Sequence, residues 1–316
     1  MIYVEMNGRL GNQLFRYAFA RWLQIKGEEK DKELVLDFHN IEREALKGEM
    51  PGWEDSLKHF KVQSYKCYEK KGHPAWNELT VSEKAVMGSC TLLEKAAETR
   101  GPLARLNVKK LFLPWQDRHG IYQIFTGYDY PFSRDGAMLK RKIVAGPCEC
   151  ARYPEEIREV LLNEFEPRYP VRDECRELLE KIQGSNSVCI TIRRGNYLKY
   201  SALNVCSAGY FERAAEKMRQ MTENPVFFVF SDDIAWARDN IRIKGPVYFE
   251  SGEDPVWEKL RLMYSCRHFI ISNSTFSWWA QFLGQAEDKI VVAPDHWFNG
   301  EYQPPLYEKG WTTLEV

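Results

Sequence analysis

The sequence predicts an α/β protein in two units built on parallel sheets, and three observations carry that expectation. From Val188 onward, short apolar runs of strand length alternate with segments of helical periodicity. The first forty residues follow the same order of strand, glycine turn and helix. The length of 316 residues suits two domains of ordinary size. A repeated strand–helix order makes neighbouring strands parallel, because each helix returns the chain to the starting edge of the sheet.

In the second half the β-branched and aromatic runs predict strands at 188–192, 226–230, 246–249, 268–272 and 290–293. Helices are expected between them, at about 207–221, 234–241, 255–265 and 275–284. The first half opens with a strand, Ile2-Tyr-Val-Glu-Met6, and a turn, Asn7-Gly8-Arg9-Leu10-Gly11-Asn12-Gln13. A helix from about 12 to 25 follows, with Phe15, Ala18, Phe19, Trp22 and Ile25 as its buried stripe and Gln13, Arg16, Ala20 and Gln24 opposite. Leu34–Asp37 reads as the next strand, Glu28–Glu33 as a solvated charged turn, and 40–110 as mixed helices and loops. Residues 144–152 hold a Gly-Pro turn and mark the expected boundary between domains 1–150 and 151–316.

Composition narrows the function. With 44% hydrophobic and 28% charged residues the chain is typical of soluble proteins, and a net charge of −1 argues against a general affinity for nucleic acid. No apolar stretch approaches the ~18 residues of a membrane span, and the first residues lack the pattern of a signal peptide. These features suggest a cytoplasmic protein, with peripheral contact at the inner face of a membrane as the closest association. Eight cysteines without a CxxC pair, and no His at zinc-finger spacing, read as reduced thiols, with no metal site expected.

The polar motifs all fall where a strand is predicted to end. Arg193-Arg194-Gly-Asn196 follows the first strand of the second half and Ser231-Asp232-Asp233 the second. Glu250-Ser-Gly-Glu253-Asp254 follows the third and Asn273-Ser274-Thr275-Phe276-Ser277 the fourth. In open α/β sheets ligands bind outside the carboxyl ends of the strands, so these turns collect at one edge. Two guanidiniums there suit a diphosphate, since each matches phosphate oxygens with two parallel N–H donors; the competing reading is a surface ion pair. The helix start at Ser274 and Thr275 would add backbone N–H groups. Asp232 suits the N1–H and exocyclic amine of guanine, or alternatively caps a helix. Phe276 and Trp279 have the spacing of core residues, which leaves Ser277 as the polar contact.

Together these motifs resemble glycosyltransferase family 11, the α-1,2-fucosyltransferases, and especially its bacterial members. The resemblance covers Gly8–Tyr17, the Arg-Arg-Gly strand end, Asn204–Ala214, Val229–Ile234 and Leu262–Trp279, in family order over nearly the whole chain. It implies a GT-B-like architecture, two Rossmann-like α/β domains facing across a cleft. The implied reaction is inverting transfer of L-fucose from GDP-β-L-fucose to the 2-hydroxyl of a galactoside in surface polysaccharide or oligosaccharide synthesis, with no cofactor and no metal. GDP-fucose and a galactose-terminated glycan would be the partners.

By the same carry-over Arg193 and Asn12 are the catalytic candidates, with Arg193 on the β-phosphate and Asn12 near the diphosphate. Arg194, Asn196, Thr191, Asp232, Asn273, Ser274, Thr275 and Ser277 form the donor side. Gly11, Gln13 and Asp37 are the acceptor-side candidates. The family pattern His-x-Arg-Arg-x-Asp reads Thr191-Ile-Arg193-Arg194-Gly-Asn196 here, so both arginines remain while the flanking His and Asp are neutral. The Thr126–Phe132 segment resembles the family's Gly-Tyr turn as far as Tyr128. Loop 197–208 holds no carboxylate, and Asp37, at a strand end of the first half, is a candidate general base that reads also as a capped turn; a dissociative transfer with late proton movement would need no strong base. Two alternatives stand beside this reading: a transferase with another linkage or nucleotide sugar, and a non-catalytic protein that binds a nucleotide sugar or glycan.

Overall fold

The computed structural model describes residues 1–27, 32–48, 52–124, 139, 141–300 and 303–316. The Thr126–Phe132 turn and most of the charged stretch after Gly27 lie outside the described residues.

Two all-parallel sheets organise the chain. The first contains β1 (Ile2–Glu5), β2 (Leu34–Asp37), β3 (Tyr65–Cys67), β4 (Ile121–Gln123) and β5 (Lys142–Ala145), in the order β3-β2-β1-β5-β4. The second contains β6 (Ser187–Ile192), β7 (Val226–Ser231), β8 (Val247–Phe249), β9 (His268–Ile270), β10 (Val291–Pro294) and β11 (Thr312–Leu314), in the order β11-β10-β9-β6-β7-β8. Helices α1 (Leu10–Lys26), α2 (His39–Lys47), α3 (Pro74–Asn77), α4 (Val81–Glu98) and α5 (Pro102–Arg118) accompany the first sheet. Next come α6 (Arg152–Glu155), α7 (Arg158–Glu164) and α8 (Asp173–Gln183), then α9 (Ala208–Met221), α10 (Ile234–Asn240), α11 (Val256–Tyr264) and α12 (Thr275–Leu283).

In each sheet the strand order reverses beside the first strand. The reversal lies between β1 and β5 in one sheet and between β6 and β9 in the other. The loops at such a reversal splay apart and leave a crevice at the carboxyl edge. Here the two edges meet. Arg9, after β1, donates to Asn196, after β6 (3.3 Å), and Thr275 donates to Asn12 (2.6 Å). Two Rossmann-like units joined edge to edge form the GT-B arrangement.

The predicted second-half elements match the observed ones to within one or two residues, while β3, β4, β5 and β11 had no counterpart in the prediction. Three of these four have only three residues, too short for an alternating pattern to register. The fourth, β5, runs into the Gly-Pro segment read as a boundary.

Helix α1 departs from the expected two-faced pattern. Gln13, Ala20 and Gln24 are fully buried and Arg16 nearly so, because α12 and α6 pack on this helix in addition to the sheet. The polar side chains on that face are paired internally. Gln13 donates to the carbonyls of Gly8 (3.0 Å) and Glu54 (2.8 Å) and accepts from the Ser56 N–H (3.0 Å); Arg16 donates to the Glu5 carbonyl.

One continuous apolar core therefore joins the units, running from β1 through α1 to Trp278, Trp279 and Leu306. The Phe15 ring lies 4.8 Å from both indoles, and each indole N–H reaches a carbonyl: Trp279 to Gly11 and Trp278 to Leu306, both at 2.9 Å. Truncating either buried Trp to Ala costs about 3–5 kcal/mol.

Candidate active site

The site is built at the β6–β9 reversal. As β6 ends, Arg193 and Arg194 pass into a 3-10 turn at Gly195–Lys199. Gly195 has φ +21°, and a Cβ there would lie 2.4 Å from Asp232 Oδ2. The glycine thus lets the carboxylate at the end of β7 come up against the loop. Asp232 accepts from Arg193 Nη1 through one oxygen and from the Arg194 N–H (2.8 Å) through the other. Asn196 Oδ1 accepts from Arg193 Nη2 (2.6 Å) as well as from Arg9. Arg193 is held on two sides, and three of its five N–H donors are left for a ligand.

Arg194 is fixed differently. Its guanidinium lies 3.5 Å from the centre of the Trp236 ring, and its Nε donates to Asp233 (3.3 Å). Asp233 also caps α10 by accepting from the Trp236 N–H (3.2 Å), so the capping role expected of this pair belongs to Asp233. Asp232 is the carboxylate that holds the arginine loop.

Across the edge, α1 and α12 begin against one another. Neither has an acidic residue in its first turn, and neither Arg9 nor Ser274 provides a side-chain cap. A Cβ on Gly11 would lie 2.6 Å from both the Phe276 nitrogen and Thr275 Oγ1, so only glycine allows this approach. Two positive helix ends this close repel each other, and an anion between or beside them relieves the repulsion. With Arg9, Arg193 and Arg194 nearby, this is a locus suited to a doubly charged anion.

The other expected residues separate into those at this edge and those beneath it. Asn12 and Thr275 form the link between the helix starts. Thr191 lies under the loop, 3% exposed, with its hydroxyl accepting from the Ser272 N–H (3.3 Å). Asn273 is buried and donates to the carbonyls of Leu203 and Trp297 (both 2.9 Å); Ser277 is buried against Ser272 (3.0 Å). Ser274 is buried at the α12 start. These buried groups shape the loop from below.

The three acceptor-side candidates have these places in the fold. Gly11 is a packing glycine and Gln13 ties the 54–56 loop to the Gly8 turn. Asp37 is fully buried at the end of β2 and bonded to His39 Nδ1 and His73 Nδ1 (2.7 Å for the latter). The sequence reading missed Arg9, Tyr197, Trp236, His39 and His73. Arg9 had a signal, since it stands in the same glycine turn as Asn12; the others meet only through the fold.

A family model, "Glycosyl transferase family 11", matches residues 108–315. The chain belongs to glycosyltransferase family 11. Among curated relatives it is 25% identical to the O-antigen biosynthesis glycosyltransferase WbnK of Escherichia coli, over 99% of this chain and 100% of that protein. It is likewise 25% identical to an α-1,2-colitosyltransferase of Escherichia coli, over 100% and 99%. A galactoside 2-α-L-fucosyltransferase, Sec1 of Mus musculus, is 28% identical over 65% of this chain and 60% of its own length. Membership of family 11 makes the chain a glycosyltransferase, and the paired helix starts with their arginines are where its fold gathers positive charge.

Proposed function

We propose that this glycosyltransferase moves L-fucose from GDP-β-L-fucose to the 2-hydroxyl of a galactoside, with inversion and without a metal, in the synthesis of a surface glycan at the cytoplasmic face of the membrane. The observation that carries the proposal is the convergence of the α1 and α12 starts with Arg9 and Arg193. A departing GDP gathers negative charge on its β-phosphate as the bond to C1 breaks. Fixed N–H donors aimed at developing charge stabilise the transition state more than the ground state. Arginines and helix ends can supply the charge that a divalent cation supplies in other transferases.

Asp232 and Asn196 hold Arg193 in place before the donor arrives, so little reorganisation accompanies the reaction. Asn196 stands where the family pattern has Asp. As a neutral acceptor it shares one oxygen between Arg9 and Arg193, and so leaves the locus more positive than a carboxylate would.

The similarity to the colitosyltransferase supports a second reading, transfer of a different deoxy sugar to the same kind of hydroxyl. One experiment separates the two. The protein is incubated with GDP-fucose and a galactose-terminated disaccharide, and GDP release and product mass are followed. The expected result is a fucosylated product, with thermal protection by GDP but not by UDP or ADP. Equal protection by all three nucleotides refutes the guanine assignment, and GDP protection without fucosyl transfer favours another sugar.

A further inference from the structure

Inverting transfer needs somewhere for the proton of the incoming hydroxyl to go, and Asp37 does not suit that task. Its carboxylate is fully buried and bonded to two histidines. The first sheet places another carboxylate at its crevice. Gly146, Pro147, Cys148 and Glu149 follow β5, the strand that borders β1 at the reversal of the first sheet. Their counterpart in the second unit is the turn after β9, Asn273–Thr275, where α12 begins.

Gly146 turns at φ +97° directly against the Ile124 carbonyl, and Cys148 adopts φ +58°, so the loop leaves the strand in a tight, strained bend. Glu149 lies just past that bend and is half-buried. Its neighbours Cys148 and Cys150 are fully enclosed in the core shared by the two units, which anchors the loop on either side of it.

Two observations set Glu149 apart from the other carboxylates of this edge. Glu5, Asp37, Asp232 and Asp233 each accept hydrogen bonds, whereas among the described residues no hydrogen bond or ion pair engages Glu149. It also stands between the units electrostatically. Its charge acts on Arg16 of α1 and on Tyr197, in the turn after β6, whose ring lies 5.2 Å from the Arg193 guanidinium. The same charge acts on Cys148 beside it, and Glu5, at the end of β1, acts on both Arg16 and Cys148.

We propose that Glu149 is the general base of the transfer, taking the proton of the acceptor hydroxyl. This role rests on the fucosyl-transfer reading above. The acceptor oxygen forms its bond to C1 of fucose as its proton passes to the Glu149 carboxylate. The bond from C1 to the β-phosphate oxygen breaks, and its electron pair leaves with GDP, whose charge Arg193 and the helix starts receive. Protons, electrons and leaving group are then accounted for by groups already present.

Burial pushes the Glu149 carboxyl up to about 7, against the opposing pull of Arg16. A base that titrates there is half ionised near neutral pH and fully ionised above it, and is also a strong enough acceptor to take a hydroxyl proton late in the transition state. The sign of the pH effect follows: activity rises with pH through about 7 and levels off above it, because only the carboxylate form accepts the proton.

The test compares wild type with E149Q, which preserves shape and removes the titration, and with E149D, which preserves the charge on a shorter arm. Rates with GDP-fucose and a galactoside are measured over roughly pH 5.5–9, together with thermal protection by GDP. We expect E149Q to keep its GDP protection, to lose on the order of 10²–10⁴-fold in kcat, and to lose the acid limb of the wild-type profile. E149D is expected to recover part of the rate with the limb restored. A kcat for E149Q within threefold of wild type, or an unchanged acid limb, overturns the assignment and turns attention to the Asp37, His39 and His73 group. A wild type that transfers no fucose overturns the donor reading and the base role together, which distinguishes the two failures.

Discussion

Gly11→Ala adds a single carbon and tests whether the two helix starts must touch. The new Cβ would lie 2.6 Å from the Phe276 nitrogen, 2.6 Å from Thr275 Oγ1 and 2.8 Å from the Thr275 carbonyl carbon. Two of these three atoms are backbone of the first turn of α12, so a rotamer change cannot relieve the clash. The helices must separate by the better part of an ångström. That movement strains the Trp279-to-Gly11 bond at 2.9 Å and the Thr275-to-Asn12 bond at 2.6 Å, in an interface where Phe15 is packed against both indoles.

Overpacking of this kind costs about 1–3 kcal/mol. A buried indole N–H left without its acceptor adds about 1–3 kcal/mol. The combined loss of about 2–6 kcal/mol should lower Tm by several degrees or more. Because the separation opens the anion locus, thermal protection by GDP should shrink alongside basal stability. Differential scanning fluorimetry with and without saturating GDP measures both effects on one sample. If Gly11→Ala melts within a degree of wild type and keeps full GDP protection, the contact between the helix starts does not organise the site.

Two further outcomes are expected. Arg193→Ala should lower the rate of transfer by roughly 10²–10³-fold, the loss typical of one charge-stabilising donor, while the fold survives because Asp232 keeps its bond to the Arg194 N–H; a fall of less than tenfold in steady-state kcat would argue against a leaving-group role. Transfer should continue in excess EDTA after exhaustive dialysis, since arginines and helix ends are proposed to carry the phosphate charge, and full inhibition restored by magnesium or manganese would refute the metal-free mechanism.

Most of the second sheet was legible because its central strands are buried on both faces. Their β-branched and aromatic runs are continuous, as in Val188–Ile192 and Val226–Phe230, and the turns between them carry Gly, Asn, Asp and Ser. The first unit was less legible. β3 and β4 are three-residue strands at the edges of the sheet, and most of their signal is pairing with a neighbour rather than periodicity. Arg16 and Gln24 misled for another reason: they lie opposite the apolar stripe of α1, where polar residues usually meet water, but the second unit and α6 cover that side.

The site followed the same division. The sequence by itself determined the repeated strand–helix order, the placement of polar motifs at strand ends and the family to which those motifs belong, because each is written in local composition and spacing. Tertiary structure alone decided that Asp232 grips Arg193 while Asp233 caps α10, that Arg9 and Arg193 share Asn196, and that Gly11 rests on Phe276. It also set the Glu149 charge within electrostatic reach of Tyr197. Apart from the Asp233 cap and the Arg193–Asn196 bond, these pairings join residues far apart in the chain, and Arg9 with Asn196 and Gly11 with Phe276 join opposite units. Their energies depend on distance, burial and the approach of two helix ends, quantities that exist only once the edges of the two sheets have met.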